Sequence, residues 1–456
     1  MQFAGAILMG AQLRLLPPSL PFRFFAAAAV YHVVLWALLA LGADEVPGFV
    51  GGPGLPLAAL HALTLGVLAM TAIGATLQIL TVATGQALRA LWPCHLVSWL
   101  YIPGVGVLLV GLAINDHLVS AAGLLPVLAA LGLFGAITAD LLRRAKGLRV
   151  PILYIWTALA ALAGLALLGF LLVADLGHGI LAGWGVDRSA IGLAHMILAV
   201  YGFMGMLALG YSQILVPMFA LAQAPAFPRN LHIHVALAAA LILAVVWALV
   251  PLEGLSTGGL IVAAGIGLVG AAAHVAQMVT ALRTGMRKRL GLSFVLVRVS
   301  WGALVASLVA GPLALMGLLG GQGVTLWGAI ALLGWLLTFL LGVLQRIIPF
   351  LVAMNASKVG GVPPRLSELA PDMPLLYHAA CHAAAVVLVL VGLVADQGWP
   401  VRIGASIGVC GGLAYLWFAI AVYRRMHGPR PERGAPPPAT GGPGVEAGGE
   451  TSNGKR

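Results

Sequence analysis

The stretch Gly202-Phe203-Met204-Gly205-Met206-Leu207-Ala208-Leu209-Gly210-Tyr211-Ser212-Gln213-Ile214-Leu215-Val216-Pro217 decides the fold, because its skeleton returns later in the chain. Gly202, Gly210, Gln213 and Pro217 have the same spacing as Gly334, Gly342, Gln345 and Pro349, and a looser copy runs Gly66, Gly74, Gln78, Val82. His61, His195 and Trp327 sit just upstream of the three copies and are read as occupying equivalent places. These intervals fit four helices with short loops. The pattern predicts an all-α polytopic membrane protein whose twelve transmembrane helices form three pseudo-threefold four-helix units.

Composition requires a lipid environment. Charged residues make up 8% of the 456, hydrophobic ones 61%, and the mean hydropathy is +1.05. Too little polar surface exists to clothe a soluble domain of this size. Apolar stretches fall near 22–43, 56–82, 91–114, 118–142, 150–175, 190–222, 231–251, 257–283, 291–319, 325–354, 374–395 and 400–424. The sixth and tenth are long enough to require tilt or an extension beyond the bilayer. The organisation read from this is a cytoplasmic N-terminal arm over 1–21, a membrane domain over 22–425 and a disordered cytoplasmic tail over 426–456, rich in Pro, Gly and charge.

Arginine and lysine set the orientation. Only Arg188 and Arg402 fall in odd-numbered loops, whereas Arg143, Arg144, Lys146, Arg149, Arg283, Arg287, Lys288, Arg289, Lys358 and Arg365 fall in even-numbered ones. Both termini are therefore expected in the cytoplasm, as in a bacterial-type inner membrane. The net charge of +11 is accounted for by topology, and nucleic acid is not an expected partner, since the cations are scattered over loops. Cys94, Cys381 and Cys410 lack the spacing of a zinc site.

The repeated glycines let helix backbones approach where lipid gives little hydrophobic force between helices. Pro217 and Pro349 cannot donate to the carbonyls of Gln213 and Gln345, which leaves acceptors free for a polar side chain or water.

Histidine carries what chemistry the chain has. An imidazole within a span needs a partner, and its neutral nitrogen ligates haem iron, copper or zinc. His61 and His195 are expected about two turns below the outer surface, near enough to share a site, with His32 in the first span a third cofactor-binding candidate. On the other side lie His95, His232, His234, His274, His378 and His382. His378 and His382, four apart on one helical face, are the candidate metal pair. Arg298 and Arg346 are read as snorkelling to the interface.

This arrangement resembles subunit I of the haem-copper oxidases and nitric oxide reductases, and more closely the NnrS family of haem- and copper-associated membrane proteins. The opening Leu16-Pro17-Pro18-Ser19-Leu20-Pro21-Phe22-Arg23-Phe24-Phe25 looks like the entry to the first helix of NnrS-like proteins, and Leu60-His61-Ala62-Leu63-Thr64-Leu65-Gly66 like their helix-two histidine segment. The resemblance implies b-type haem or copper as cofactor, a small gas as ligand, and a role in nitric oxide response or respiratory metabolism. It carries His61 over as a haem ligand and His195 as a helix-six metal ligand. The chain departs from the oxidases at Thr325-Leu326-Trp327-Gly328, where helix ten has no histidine, and at Ala199, where helix six would place a tyrosine four residues after its ligand. The standard oxygen-reducing centre therefore cannot be assembled. A transporter or channel for a small solute, gas or metal, its path lined by the same histidines and glutamines, is the alternative.

Overall fold

In lipid each backbone N–H and C=O must be satisfied within its own segment, and the described residues meet that demand with helices. The computed structural model describes residues 15–250, 254–358 and 372–427. Its twelve membrane-spanning helices are α1 (Ser19–Leu41), α2 (Leu55–Thr84), α3 (Trp92–Ala113), α4 (His117–Arg144), α5 (Arg149–His178), α6 (Arg188–Ala220), α7 (Phe227–Leu249), α8 (Leu255–Thr284), α9 (Gly291–Leu315), α10 (Gly323–Asn355), α11 (Asp372–Ala395) and α12 (Gly398–Arg425). The expected spans are all present. The first helix begins at Ser19, inside the stretch assigned to the N-terminal arm; residues 1–14, Arg365 and the tail from 428 lie outside the described residues.

Local chemistry sets the helix starts. Pro56, Pro93 and Pro228 occupy first-turn positions of α2, α3 and α7, where no intrahelical N–H is needed. Asp116 Oδ1 accepts from the Leu118 and Val119 amides at 2.9 and 3.0 Å to cap α4, and Asp187 accepts from Ser189 N at 2.9 Å to cap α6.

Helix for helix, the same contacts recur at intervals of four. α1 packs on α2, α5 on α6 and α9 on α10; α3, α7 and α11 pair with α4, α8 and α12; and α4 meets α5, α8 meets α9 and α12 returns to α1. Glycines set the first of these seams. A methyl group on Gly74 would stand 2.8 Å from Phe24 Cβ, one on Gly210 2.8 Å from Tyr154 Cβ, and one on Gly342 2.8 Å from the Ser293 carbonyl and 3.1 Å from Leu296 Cβ. Two turns on, Gly66 faces Tyr31, Gly202 faces Ala161 and Gly334 faces Ala303. Phe24 to Tyr31, Tyr154 to Ala161 and Leu296 to Ala303 are each seven residues apart, so the three seams share one register.

A feature of α2, α6 and α10 that the residue pattern does not announce is a stretch of π-helix in each, at Ala62–Ala69, Leu198–Gly205 and Ile330–Leu337. Each begins four residues before the seam glycine (Gly66, Gly202, Gly334) and ends three after it. Each wide turn touches the other two at the centre of the molecule. Such segments are rare and favour functional positions.

The two cations on the odd-loop face are both neutralised. Arg188 pairs with Asp175, and Arg402 pairs with Asp44 at 2.5 Å, joining the start of α12 to the end of α1.

Candidate functional site

The glycine register corrects one expectation. His195 and Trp327 stand seven residues before Gly202 and Gly334, but His61 stands five before Gly66. Two residues amount to about 200° of helical turn. His195 and Trp327 are therefore counterparts, while the counterparts of His61 are Ile197 and Ala329 and that of His195 in α2 is Ala59.

His61 and His195 nonetheless lie within electrostatic reach of one another across α2 and α6, toward the odd-loop face. His61 is half-buried at the mouth of the α2 π-segment, and its Nδ1 is 3.0 Å from the Leu57 carbonyl. A carbonyl only accepts, so Nδ1 carries the hydrogen and Nε2 presents a bare lone pair. This is the arrangement of a ligating imidazole oriented through its other nitrogen. His195 rests on α5 at Gly169, where a methyl would come within 3.1 Å of its Cε1, and its Nδ1 points toward the Leu165 carbonyl without closing a hydrogen bond. One imidazole offering Nε2 beside a second, half-buried imidazole fits a haem ligand or a two-histidine metal site.

Trp327 takes no part in that pair. Its Nε1 donates to Tyr201 Oη at 3.0 Å, Tyr201 donates to Ser307 Oγ at 3.0 Å, and Tyr201 stacks between Trp327 and Trp335 at 6.3 and 5.7 Å. These residues close one side of an apolar cavity of about 120 Å³ among α6 to α10, lined further by Leu241, Ala263 and Leu304.

His32 is separated from His61 and grouped with His378 and His382. The His32 ring lies 5.7 Å from that of His378, which lies 6.1 Å from His382 and 4.9 Å from Tyr415 of α12. All three histidines are at most 3% exposed. The residues that orient them also fix their tautomers. Trp36 Nε1 donates to His32 Nε2 at 3.0 Å, so the His32 hydrogen is on Nδ1. Thr338 gives its only hydrogen to the Leu333 carbonyl at 2.8 Å and must accept from His382 Nε2, also at 2.8 Å, so His382 Nδ1 is a bare lone pair. Among the described residues no three His, Cys, Asp or Glu side chains are arranged to hold a metal ion, and we assign none to this cluster.

The device recurs between α5 and α8. Thr157 bonds the Leu153 carbonyl and receives His234 Nε2 at 3.0 Å; Ser212 bonds the Leu209 carbonyl and receives His274 Nε2 at 2.8 Å. Both leave a buried Nδ1 without a partner, as are the Tyr154 hydroxyl between them and the amide nitrogens of Gln78, Gln213 and Gln345. Asn230 Nδ2 donates to Gln213 Oε1, and the Leu16 amide to Gln78 Oε1 at 3.2 Å. Around α3, Arg23 reaches Ser98 Oγ at 2.8 Å beside His95. His232, His117 and His178 are exposed. Arg298 is exposed as well, and Arg346 bonds the Leu290 carbonyl.

The sequence reading named the histidines but missed Thr157, Ser212 and Thr338. A hydroxyl in an apolar span was the available signal, yet its histidine lies 77, 62 or 44 residues away. No protein-family model matches the chain, and a search of curated proteins returns no match.

Proposed function

We propose that this multi-pass membrane protein, built as three four-helix units, binds haem or a transition metal at His61 and His195 and is akin to the NnrS family and the haem-copper oxidase-like superfamily. The observation that supports the reading is the pair itself: His61 is held through Nδ1 by the Leu57 carbonyl with Nε2 left as a lone pair, and a second imidazole stands within electrostatic reach. With the termini in the cytoplasm, the pair would lie toward the outer side of a bacterial-type inner membrane. Haem held by His61 would supply an iron centre able to bind a small gas. The chain's own part is to fix the ligand's tautomer and orientation through the Leu57 carbonyl. The role that follows is in nitric oxide response or respiratory metabolism, without the standard oxygen-reducing centre.

A second reading, a path for a small solute, gas or metal, is favoured by the unpaired amide and imidazole atoms on the even-loop side of the π-segments. An absorption spectrum with metal analysis on the detergent-purified protein separates the two. The expected result is a haem band or bound metal that His61→Ala abolishes or shifts and that His195→Ala perturbs or depletes. Protein free of both haem and metal, or a spectrum unchanged in His61→Ala, would overturn the cofactor reading in favour of the transport one.

A further inference from the structure

The cluster of His32, His378, His382 and Tyr415 holds five buried polar atoms without a partner: His32 Nδ1, both ring nitrogens of His378, His382 Nδ1 and the Tyr415 hydroxyl. An unpaired buried polar atom costs about 1–3 kcal/mol, so five in one place point to an occupant. The tautomers state what that occupant meets. His32, locked by the Trp36 indole, shows the cluster an N–H; His382, locked by Thr338, shows it a lone pair; His378 between them carries one of each in its neutral form. Donors and acceptors are thereby ordered in one direction, from Trp36 through His32, His378 and His382 to Thr338. A metal ion would meet the His32 N–H instead of a third lone pair.

We propose that this cluster is a membrane-embedded binding site for a single proton, centred on His378 and completed by internal water. The added proton, delivered from hydronium, forms one new N–H bond at the lone pair of His378 as one O–H bond of hydronium breaks and water is released, and the His32 N–H that had faced that lone pair turns to internal water. The resulting imidazolium directs one N–H toward His382 Nδ1 and the other toward the Tyr415 oxygen, in each case directly or through one water. His32 cannot take this role, since its acceptor nitrogen is engaged by the indole; His382 could be protonated at Nδ1 but would lack a fixed acceptor. Both ends are closed, because the indole does not release its hydrogen and the Leu333 carbonyl does not retain one, so the cluster stores a proton and is not a through-wire. The titratable groups facing His378 are His32 from α1, His382 from α11 itself and Tyr415 from α12, with Thr338 of α10 behind His382. Among the described residues no carboxylate, lysine or arginine is hydrogen-bonded to any of them. The inference stands on these residues alone and is independent of the cofactor reading of His61.

Site-resolved nitrogen-15 NMR of histidine-labelled protein in lipid nanodiscs tests it. The expected result is His32 protonated at Nδ1 and His382 at Nε2 in the neutral protein, with His378 the first of the three to become doubly protonated on acidification. Reversed tautomers at His32 or His382, double protonation of either before His378, or a stoichiometric metal that shifts all three rings would overturn the proposal. His378→Phe should abolish the uptake of that proton, and persistence of the uptake in the folded variant would also overturn it. Should His378→Phe fail to fold, Trp36→Phe serves: with the indole bond gone, the His32 hydrogen should redistribute between its two nitrogens, and an unchanged His32 signal would refute the locking on which the ordering depends.

Discussion

The seams of α1–α2, α5–α6 and α9–α10 are the same three times, whereas, apart from the glutamines Gln78, Gln213 and Gln345, the polar side chains around them differ. In the seams a glycine meets the neighbouring backbone or Cβ at one register, and the π-segment keeps a constant position about it. In the polar sites, Arg23 with Ser98 stands near α3, Tyr154 with His234 and His274 between α5 and α8, and His32 with His378 and His382 among α1, α11 and α12. The backbone repeat is a frame, and the chemistry occupies what the repeat leaves free to vary. Backbone close packing tolerates few residue types, so it persists; a buried polar group needs only some partner, and each unit has found a different one.

The largest expected effect is on the frame. Gly202 lies 2.7 Å from Ala161 Cβ when given a methyl, with Leu241 behind at 3.4 Å, so Gly202→Leu forces α5 and α6 apart. We expect a loss of about 3 kcal/mol or more by overpacking, read as a lowered unfolding midpoint in detergent. Its counterpart sharpens the point: a methyl on Gly334 meets only Ala303 Cβ at 3.2 Å. Gly334→Ala should be close to neutral, because mild crowding is offset by up to about 1 kcal/mol of better helix propensity. Equal losses in Gly202→Ala and Gly334→Ala would show that the seams are not distinguished by their contacts.

The polar sites should respond to loss of a partner and much less to crowding. Thr338→Val keeps the shape of the side chain and removes the oxygen that accepts from His382 Nε2. An orphaned buried N–H costs about 2 kcal/mol, and Thr338→Ser, which retains the hydroxyl, should recover most of it. The same NMR experiment carries a second readout, since His382 freed from Thr338 can move its hydrogen to Nδ1. A His382 tautomer unaffected by Thr338→Val would break the assignment of this hydroxyl as the orienting group.

The frame was far more legible in the sequence than the sites. Twelve spans follow from hydropathy alone, and the glycine spacing is visible because Gly202, Gly210, Gln213 and Pro217 are matched at identical spacing by Gly334, Gly342, Gln345 and Pro349. The π-segments were hidden, since Ala62–Ala69, Leu198–Gly205 and Ile330–Leu337 share no residue pattern beyond the glycine, and an extra residue per turn leaves the composition untouched. The histidines were visible singly and misgrouped: His32 was placed with His61 because both lay at similar depth, although depth does not specify which helix faces which. That α1 meets α11 and α12 is decided by closure of the ring, across a separation of more than 300 residues that no local spacing encodes.

The smallest effect belongs to the point where frame and site join, the first turn of α6. The three helices with π-segments start differently: α2 at Gly54, α10 at Gln322 without a side-chain cap, and α6 at Asp187, whose Oδ1 takes the Ser189 amide at 2.9 Å while Oδ2 takes the Ser189 hydroxyl at 2.5 Å. Only α6 is pinned in this way, and eight residues on it carries His195. The Ser189 hydroxyl, then the Ser189 amide, hold the exposed Asp187 carboxyl below the usual carboxylate range. A group with a lowered folded-state value contributes stability above its unfolded value, about 3.9 for aspartate, and loses that contribution as pH falls through the folded value. Asp187→Ala should therefore cost about 1 kcal/mol at neutral pH, and the difference from the native chain should shrink under acid conditions, as measured by unfolding midpoints across pH. Asp187→Asn separates cap from charge: the amide oxygen can still accept from Ser189 N, so it should keep most of the stability and lose the acid dependence. A cost for Asp187→Asn equal to that of Asp187→Ala would mean that the charge, and not the cap, holds this end of α6, and the difference between the three helix starts would then be electrostatic.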